Sequence, residues 1–273
     1  MPALMAHDTT GVDLPNRTTE RASLSLLDAF RLEVEARPVD VPRPAQRLLA
    51  YLAVRSSAVC RERVAGDLWP DLEPSDALAR LRDALYRLRQ AGPGLVDSPG
   101  MWLSLGGHVR LDLRRTWRRA RTVLAAEDIQ PRVTLADLAP RQVLPSWDES
   151  WLAAPRHDLW LTCVRAVECM AQDRADEGCF LDAEVACRLV IDAEPYRESA
   201  YLLLADVYLA EGNPGQAWVV VRDYQARMRS ELGLDVGPAV AFVQRSIHRR
   251  ASGLSESVGA GARRSPRRAR PPH

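Results

Sequence analysis

The chain has 273 residues, 47% of them apolar, enough for two hydrophobic cores. Its 37 basic residues, all arginine, are nearly offset by 36 acidic ones, so at a net charge of +1 it is not globally basic. No apolar run approaches the ~20 residues of a membrane span, and the N-terminus lacks the continuous apolar region of a signal peptide.

The five cysteines (60, 163, 169, 179 and 187) contain no CxxC pair and are odd in number. That pattern suits mostly buried thiols in a reduced compartment and argues against a zinc site. Five scattered histidines and the absence of a nucleophile-elbow pattern leave no catalytic constellation, so the chain reads as a non-enzyme.

Residues 1–21 are polar and punctuated by Pro and Gly, and read as a disordered leader. Three short β-rich runs follow, at 24–27, 30–35 and 39–41, with turns between. In the second, Phe30, Leu32 and Val34 alternate with Arg31, Glu33 and Glu35, the pattern of a half-buried strand. Together they predict a small antiparallel sheet. Residues 44–54 predict a helix with Pro in its first turn and Leu48, Leu49 and Leu52 inward. A second helix is expected over 60–69, with Val64, Ala65, Leu68 and Trp69 as its core side and Cys60 near the N-cap.

The third helix, 75–92, carries Leu78, Leu81, Leu85 and Leu88 on one stripe, with Ser75 as its N-cap and Gly92 as its stop. At about 100° per residue, Arg80, Asp83, Tyr86, Arg87 and Gln90 point the other way, with Arg82 and Arg89 at the margins. Taken alone this is an ordinary solvated face. Beyond it come short strands at 95–97, 101–105 and 108–113. The turn holding Ser98 separates the first two, and Gly106-Gly107 allows a second tight turn. Strands, three helices and then a hairpin make a winged helix-turn-helix, in which the third helix enters the major groove and the hairpin is the wing.

Six arginines stand between positions 110 and 121 against one acid, Asp112. Helix-like 117–126 and an irregular stretch around 129–145 read as a connector. Past it, Gly178 and Gly212 stand 34 residues apart, and the same offset relates Ala171 to Ala205, Ala183 to Ala217 and Arg188 to Arg222. That is the tetratricopeptide period, in which small residues allow paired helices to approach closely. Helices are expected at 155–177, 179–193, 196–211, 214–232 and 238–250. Such repeats present a surface to another protein, or else form a bundle supporting the first domain. The Arg-rich tail reads as disordered. The fold class is therefore mainly α, an α+β winged helix-turn-helix followed by an all-α tetratricopeptide-like domain. The expected domains are 22–115 for DNA binding, a connector over 116–147, an activator domain over 148–251, and a tail over 252–273.

The pieces EPYRE, AEGN and ELGLD within 194–240 closely resemble the bacterial transcriptional activator domain. Ahead of it, QRLLAYLAV, VAGDLWPD and LRDALYRLRQAG look like the winged helix-turn-helix of response-regulator output domains. The combination resembles the small form of the Streptomyces antibiotic regulatory protein family of actinobacteria, over roughly 24–250. The resemblance implies an activator of secondary-metabolite genes that binds direct repeats near a promoter and contacts RNA polymerase. Two departures matter: Arg80 stands where relatives often carry a small polar residue, and the first repeat is looser than the second. A Walker A glycine-lysine motif, which marks the ATPase module of larger members, does not occur.

The expected DNA-contacting residues are Arg80, Arg82, Asp83, Tyr86, Arg87, Arg89, Gln90, Ser98, Arg114 and Arg115. The acidic loop Asp71, Leu72 and Glu73 is the expected polymerase contact, because acids suit phosphate poorly. Expected partners are double-stranded DNA with promoter direct repeats, RNA polymerase holoenzyme and a second copy of the chain on DNA, with no membrane, cofactor or metal. The expected location is the cytoplasm, at the nucleoid. The competing reading is a tetratricopeptide adaptor whose N-terminal domain docks protein rather than DNA.

Overall fold

A computed structural model of the chain describes residues 22–126 and 133–238, and thereafter 240, 241, 243–245 and 247. The leader and tail expectations fall outside the described residues. The chain divides into two compact units, residues 1–113 with 143–152, and residues 114–142 with 153–273. The fold is mainly helical, with a winged helix-turn-helix first and a helical repeat domain after it.

The first unit opens with β1 (Ala22–Ser25), β2 (Arg31–Val34) and β3 (Arg37–Pro38), an antiparallel meander in which Leu24 faces Leu32. Alternation holds in β2: Leu32 is buried while Arg31 and Glu33 are exposed. The third strand falls earlier than the 39–41 run predicts, because the turn is tight and left-handed at Glu35 (φ 52°) and Ala36 (φ 62°).

Helix α1 (Arg43–Ala53) has Pro44 in its first turn, where the missing N–H costs nothing, and buries Ala45, Leu48, Leu49 and Leu52. After β4 (Val59–Cys60), helix α2 (Arg61–Leu68) buries Val64, Ala65 and Leu68. Cys60 is its N-cap residue, without a side-chain cap bond. Helix α3 (Pro74–Ala91) buries Ala77, Leu81, Ala84, Leu85 and Leu88. Two details differ from the sequence-based expectation. The N-cap is Glu73 rather than Ser75, because Pro74 takes the first helical position, where proline is pre-organised. Leu78 is half-buried, and Ala77 and Ala84 complete the inward stripe instead.

The wing consists of β5 (Val96–Asp97) and β6 (Trp102–Leu105), antiparallel, with β4 on the other side of β6. The strand expected over 108–113 shortens to β7 (Val109–Leu111) and leaves the wing. It pairs in parallel with β1, Leu24 opposite Leu111, and makes the first sheet four-stranded, in the order β3-β2-β1-β7. Gly106 sits where this departure crowds the chain, since a Cβ there would collide with the Gly94 carbonyl oxygen.

Helix α4 (Asp112–Leu124) starts five residues before the predicted position. Asp112 explains the early start. Its carboxylate accepts hydrogen bonds from the amides of Leu26 (3.1 and 2.9 Å), Leu27 (2.9 Å) and Leu113 (2.8 Å), tying β1's end to the helix N-terminus. The stretch read as a connector is divided between the units. Residues 114–142, including α5 (Leu135–Leu138), go with the second, whereas 143–152 return to the first. There the Leu144 amide bonds the Leu26 carbonyl (2.9 Å) and Trp147 stacks on Phe30 with Arg43 over its ring. Glu149 binds Arg47 at 2.6 Å, and Trp151 meets the edge of Tyr51.

In the second unit α6 (Ala153–Asp176), α7 (Phe180–Ala193), α8 (Glu198–Glu211) and α9 (Pro214–Arg227) pack in succession. A π-helical turn (Met228–Leu232) ends α9, where one longer helix was expected, and Pro238 to Ile247 is helical wherever described. The 34-residue period has a geometric basis. Ala171, Ala205, Ala183 and Ala217 are all completely buried. Gly178 (φ 76°) and Gly212 (φ 89°) both adopt the left-handed region. At each, the glycine and the next residue bond back to the preceding turn: Gly178 to Ala175 and Cys179 to Arg174, then Gly212 to Leu209 and Asn213 to Tyr208.

The EPYRE piece is a fastening between helices. Glu194 accepts from Trp160 Nε1, and Tyr201 donates to the Pro195 carbonyl (3.0 Å). Arg197 grips Glu168 of α6 through Nε and Nη2, and Ser199 donates to the other oxygen of the same carboxylate. Glu184 of α7 accepts from Tyr208 of α8 (2.7 Å) and from Arg188 (2.9 Å), which together hold its carboxyl below the ordinary range.

Candidate nucleic-acid interface

The outward side of α3 follows from its inward side. Apolar residues at 77, 81, 84, 85 and 88 fix the helix rotation, which leaves Arg80, Arg82, Asp83, Tyr86, Arg87, Arg89 and Gln90 all exposed. Tyr86 keeps 57% of its surface accessible, far more than an aromatic ring needs for packing. Asp76 in the first turn and Arg89 in the last both complement the helix dipole.

A rigid scaffold lies beneath this helix. The Tyr51 hydroxyl donates to Asp67 (2.6 Å), linking α1 to α2, and burial with that bond pushes its pKa up to about 12. Arg55 lies over the same ring, 4.6 Å from its centre. Leu103 and Leu105 of the wing are buried, which turns Trp102 and Ser104 outward.

Ser98, in the β5–β6 turn, is half-buried and borders the same shallow depression as Arg89, along with Leu85, Gly92 and Val96. The wing turn and the C-terminal end of α3 thus share one surface. Asp71, Leu72 and Glu73 are exposed in the loop before α3, in the same unit. The Glu73 carbonyl accepts from Asp76 and Ala77 at 2.9 Å, so this loop's backbone is committed to the helix start. Arg114 and Arg115 are exposed on α4 but belong to the second unit.

Two exposed apolar residues at the wing turn are not among the sequence-predicted site residues, Met101 and Trp102, each 53% accessible. The alternation in WLSL, with both leucines inward, is the signal that turns Trp102 out. Arg61 Nε holds this turn by donating to the Gly100 carbonyl (3.0 Å). Among the described residues, no group of three or more His, Cys, Asp or Glu could hold a metal ion. No described helix is long and apolar enough to cross a membrane.

Residues 114–248, just under half of the chain, match the bacterial transcriptional activator domain. Over 235 residues the chain is 29% identical to the regulatory protein AfsR of Streptomyces coelicolor, covering 80% of this chain and 23% of that protein. These matches agree with the resemblance to the Streptomyces antibiotic regulatory protein family. AfsR of Streptomyces griseus is 27% identical over 230 residues, 76% of this chain and 22% of that one. The chain thus spans less than a quarter of the length of these two relatives. In fold it is similar to Mycobacterium tuberculosis EmbR, solved in complex with a low-affinity phosphopeptide. The TM-score is 0.62 at 19% identity, over 89% of this chain and 70% of that one.

The activator-domain match begins at Arg114, which is also where the second compact unit begins. The match starts two residues into α4, after Asp112, whose carboxylate accepts from the Leu26 amide within the first unit.

Proposed function

We propose that the chain is a sequence-specific DNA-binding transcriptional activator, with α3 as its reader in the major groove of promoter direct repeats. The observation that carries this is the sorting of α3. Every apolar residue needed to hold the helix faces inward, and the exposed side keeps four arginines, an aspartate, a tyrosine and a glutamine. Those side-chain types match groove chemistry. Arginine makes bidentate contacts to guanine or phosphate, aspartate accepts from cytosine, and glutamine pairs with adenine.

The activator-domain match supports a role for the second half in recruiting the transcription machinery. The exposed acidic loop Asp71, Leu72 and Glu73 would meet RNA polymerase rather than phosphate. The regulated genes would be those of secondary metabolism, as the family resemblance implies, and two copies would occupy adjacent repeats.

Footprinting the full chain on DNA flanking its own gene tests this reading. Protection of a pair of direct repeats, weakening steeply as salt rises, is expected. No protection at any salt concentration would favour a protein-docking adaptor instead.

A further inference from the structure

We infer that one side of α4, formed by Arg114, Arg118 and Arg121, is a second phosphate-binding surface for duplex DNA, carried by the activator unit itself. The inference rests on the DNA-binding reading of α3 but concerns different residues.

Positions 114, 118 and 121 stand at i, i+4 and i+7, so they share one side of the helix, and all three are exposed. Their neighbours three and four positions away within the helix are uncharged or are arginines themselves. Arg114 faces Arg118, and Arg118 faces both Arg115 and Arg121. Like charges at these spacings weaken a helix.

The described acids nearby are already engaged. Asp112 spends its carboxylate on the amides of Leu26, Leu27 and Leu113. Asp137 is held by Arg119 and by Thr134. Three other exposed arginines of the second unit do have carboxylate partners: Arg188 pairs with Glu184, Arg222 with Asp223 and Arg229 with Asp235. Among the described residues no carboxylate pairs with Arg114, Arg118 or Arg121.

A row of guanidinium groups with no carboxylate partner among the described residues, Arg121 meeting only the Trp117 ring there, is matched by an array of anions. The three residues span about 10 Å of helix axis, close to three phosphate-to-phosphate rises of about 3.4 Å on one DNA strand. A lipid surface fits less well, because the apolar side of α4 is used inside the protein: Leu113 and Ala120 are buried.

The test uses the full chain in three forms: wild type, R114A/R118A/R121A, and the corresponding lysine triple. Fluorescence anisotropy measures binding to the footprinted duplex and to a scrambled one across a salt series, with circular dichroism confirming the fold. The alanine triple should bind both duplexes more weakly by the same factor. Its slope of log affinity against log salt should fall by about 0.9 for each phosphate left unneutralised, two to three units in all. The lysine triple should keep the wild-type slope. An unchanged slope and affinity in the alanine triple would overturn the inference while leaving the α3 reading intact. Lost transcription with unchanged DNA affinity would also overturn it, assigning the patch to an acidic protein. Wild-type chain that binds neither duplex would overturn both.

Discussion

Asp112→Ala should destabilise the first unit more than any single change on the surface of its sheet. In the native chain one carboxylate satisfies three backbone amides: Leu26, Leu27 and Leu113, at 2.8 to 3.1 Å. Leu26 is fully buried and Leu27 nearly so, so water reaches their amides poorly once the carboxylate is gone. Each orphaned buried donor costs about 1–3 kcal/mol, and Leu113, at a helix start, is the cheapest to resolvate. The sum is about 2–4 kcal/mol, which at a urea dependence of about 1–3 kcal/mol/M moves the unfolding midpoint by about 1–2 M. Urea titration of the full chain by tryptophan fluorescence reads this directly, since Trp147 and Trp151 lie in that unit. Glu33→Ala is the control: Glu33 is exposed and accepts only from Ser23, so its midpoint should barely move. If Asp112→Ala unfolds at the wild-type midpoint, Asp112 is not the anchor described, and the early start of α4 needs another cause.

Three further outcomes are expected. Ala183→Leu or Ala217→Leu, at completely buried positions, should overpack the helix pairs and lower stability by about 1–3 kcal/mol in thermal melts of the full chain; wild-type midpoints in both would contradict the helix pairing. The Glu184 carboxyl sits below its ordinary range, first through the Tyr208 bond and then through Arg188. Its stabilisation is therefore present above the usual carboxylate pKa and is lost as pH falls through the lowered value. Glu184→Gln should accordingly flatten the stability decline measured between roughly pH 5 and roughly pH 3, and an unchanged decline would assign it to other acids. Replacing Asp71 and Glu73 together with Ala should leave duplex affinity nearly unchanged and lower transcription with purified components. Parallel loss of both would remove the loop from polymerase contact.

Local signals were legible from the chain, and long-range ones were not. The inward stripe of α3 and the 34-residue spacing each arise from residues within one or two turns or one repeat, so composition and period reveal them. The glycines show this most clearly, because positive φ at Gly178 and Gly212 is a local demand. By contrast, β7 pairs with β1 some 87 positions earlier, Ala22 opposite Val109, and nothing in either stretch names the partner. The return of 143–152 to the first unit is equally non-local, resting on Trp147 against Phe30 and on Glu149 against Arg47. Proline chemistry accounts for the shifted start of α3: Ser75 is a good capping residue, but Pro74 fits the first helical position better, which moves the cap to Glu73. At the interface, exposure of the seven α3 side chains could be read from period alone. The joining of Ser98 to Arg89 could not, since it depends on where β5 settles against α3.

The most direct measurement of the central claim is a fluorescence-anisotropy titration of Arg80→Ala and Arg87→Ala. Each is titrated against the footprinted duplex and a scrambled duplex at several salt concentrations. Both residues are exposed on α3, so neither change should unfold the chain. The account predicts that at least one variant loses discrimination between the two duplexes, by about 1–3 kcal/mol, while remaining folded. Wild-type affinity for both duplexes in both variants would contradict it, and α3 would not be the reader.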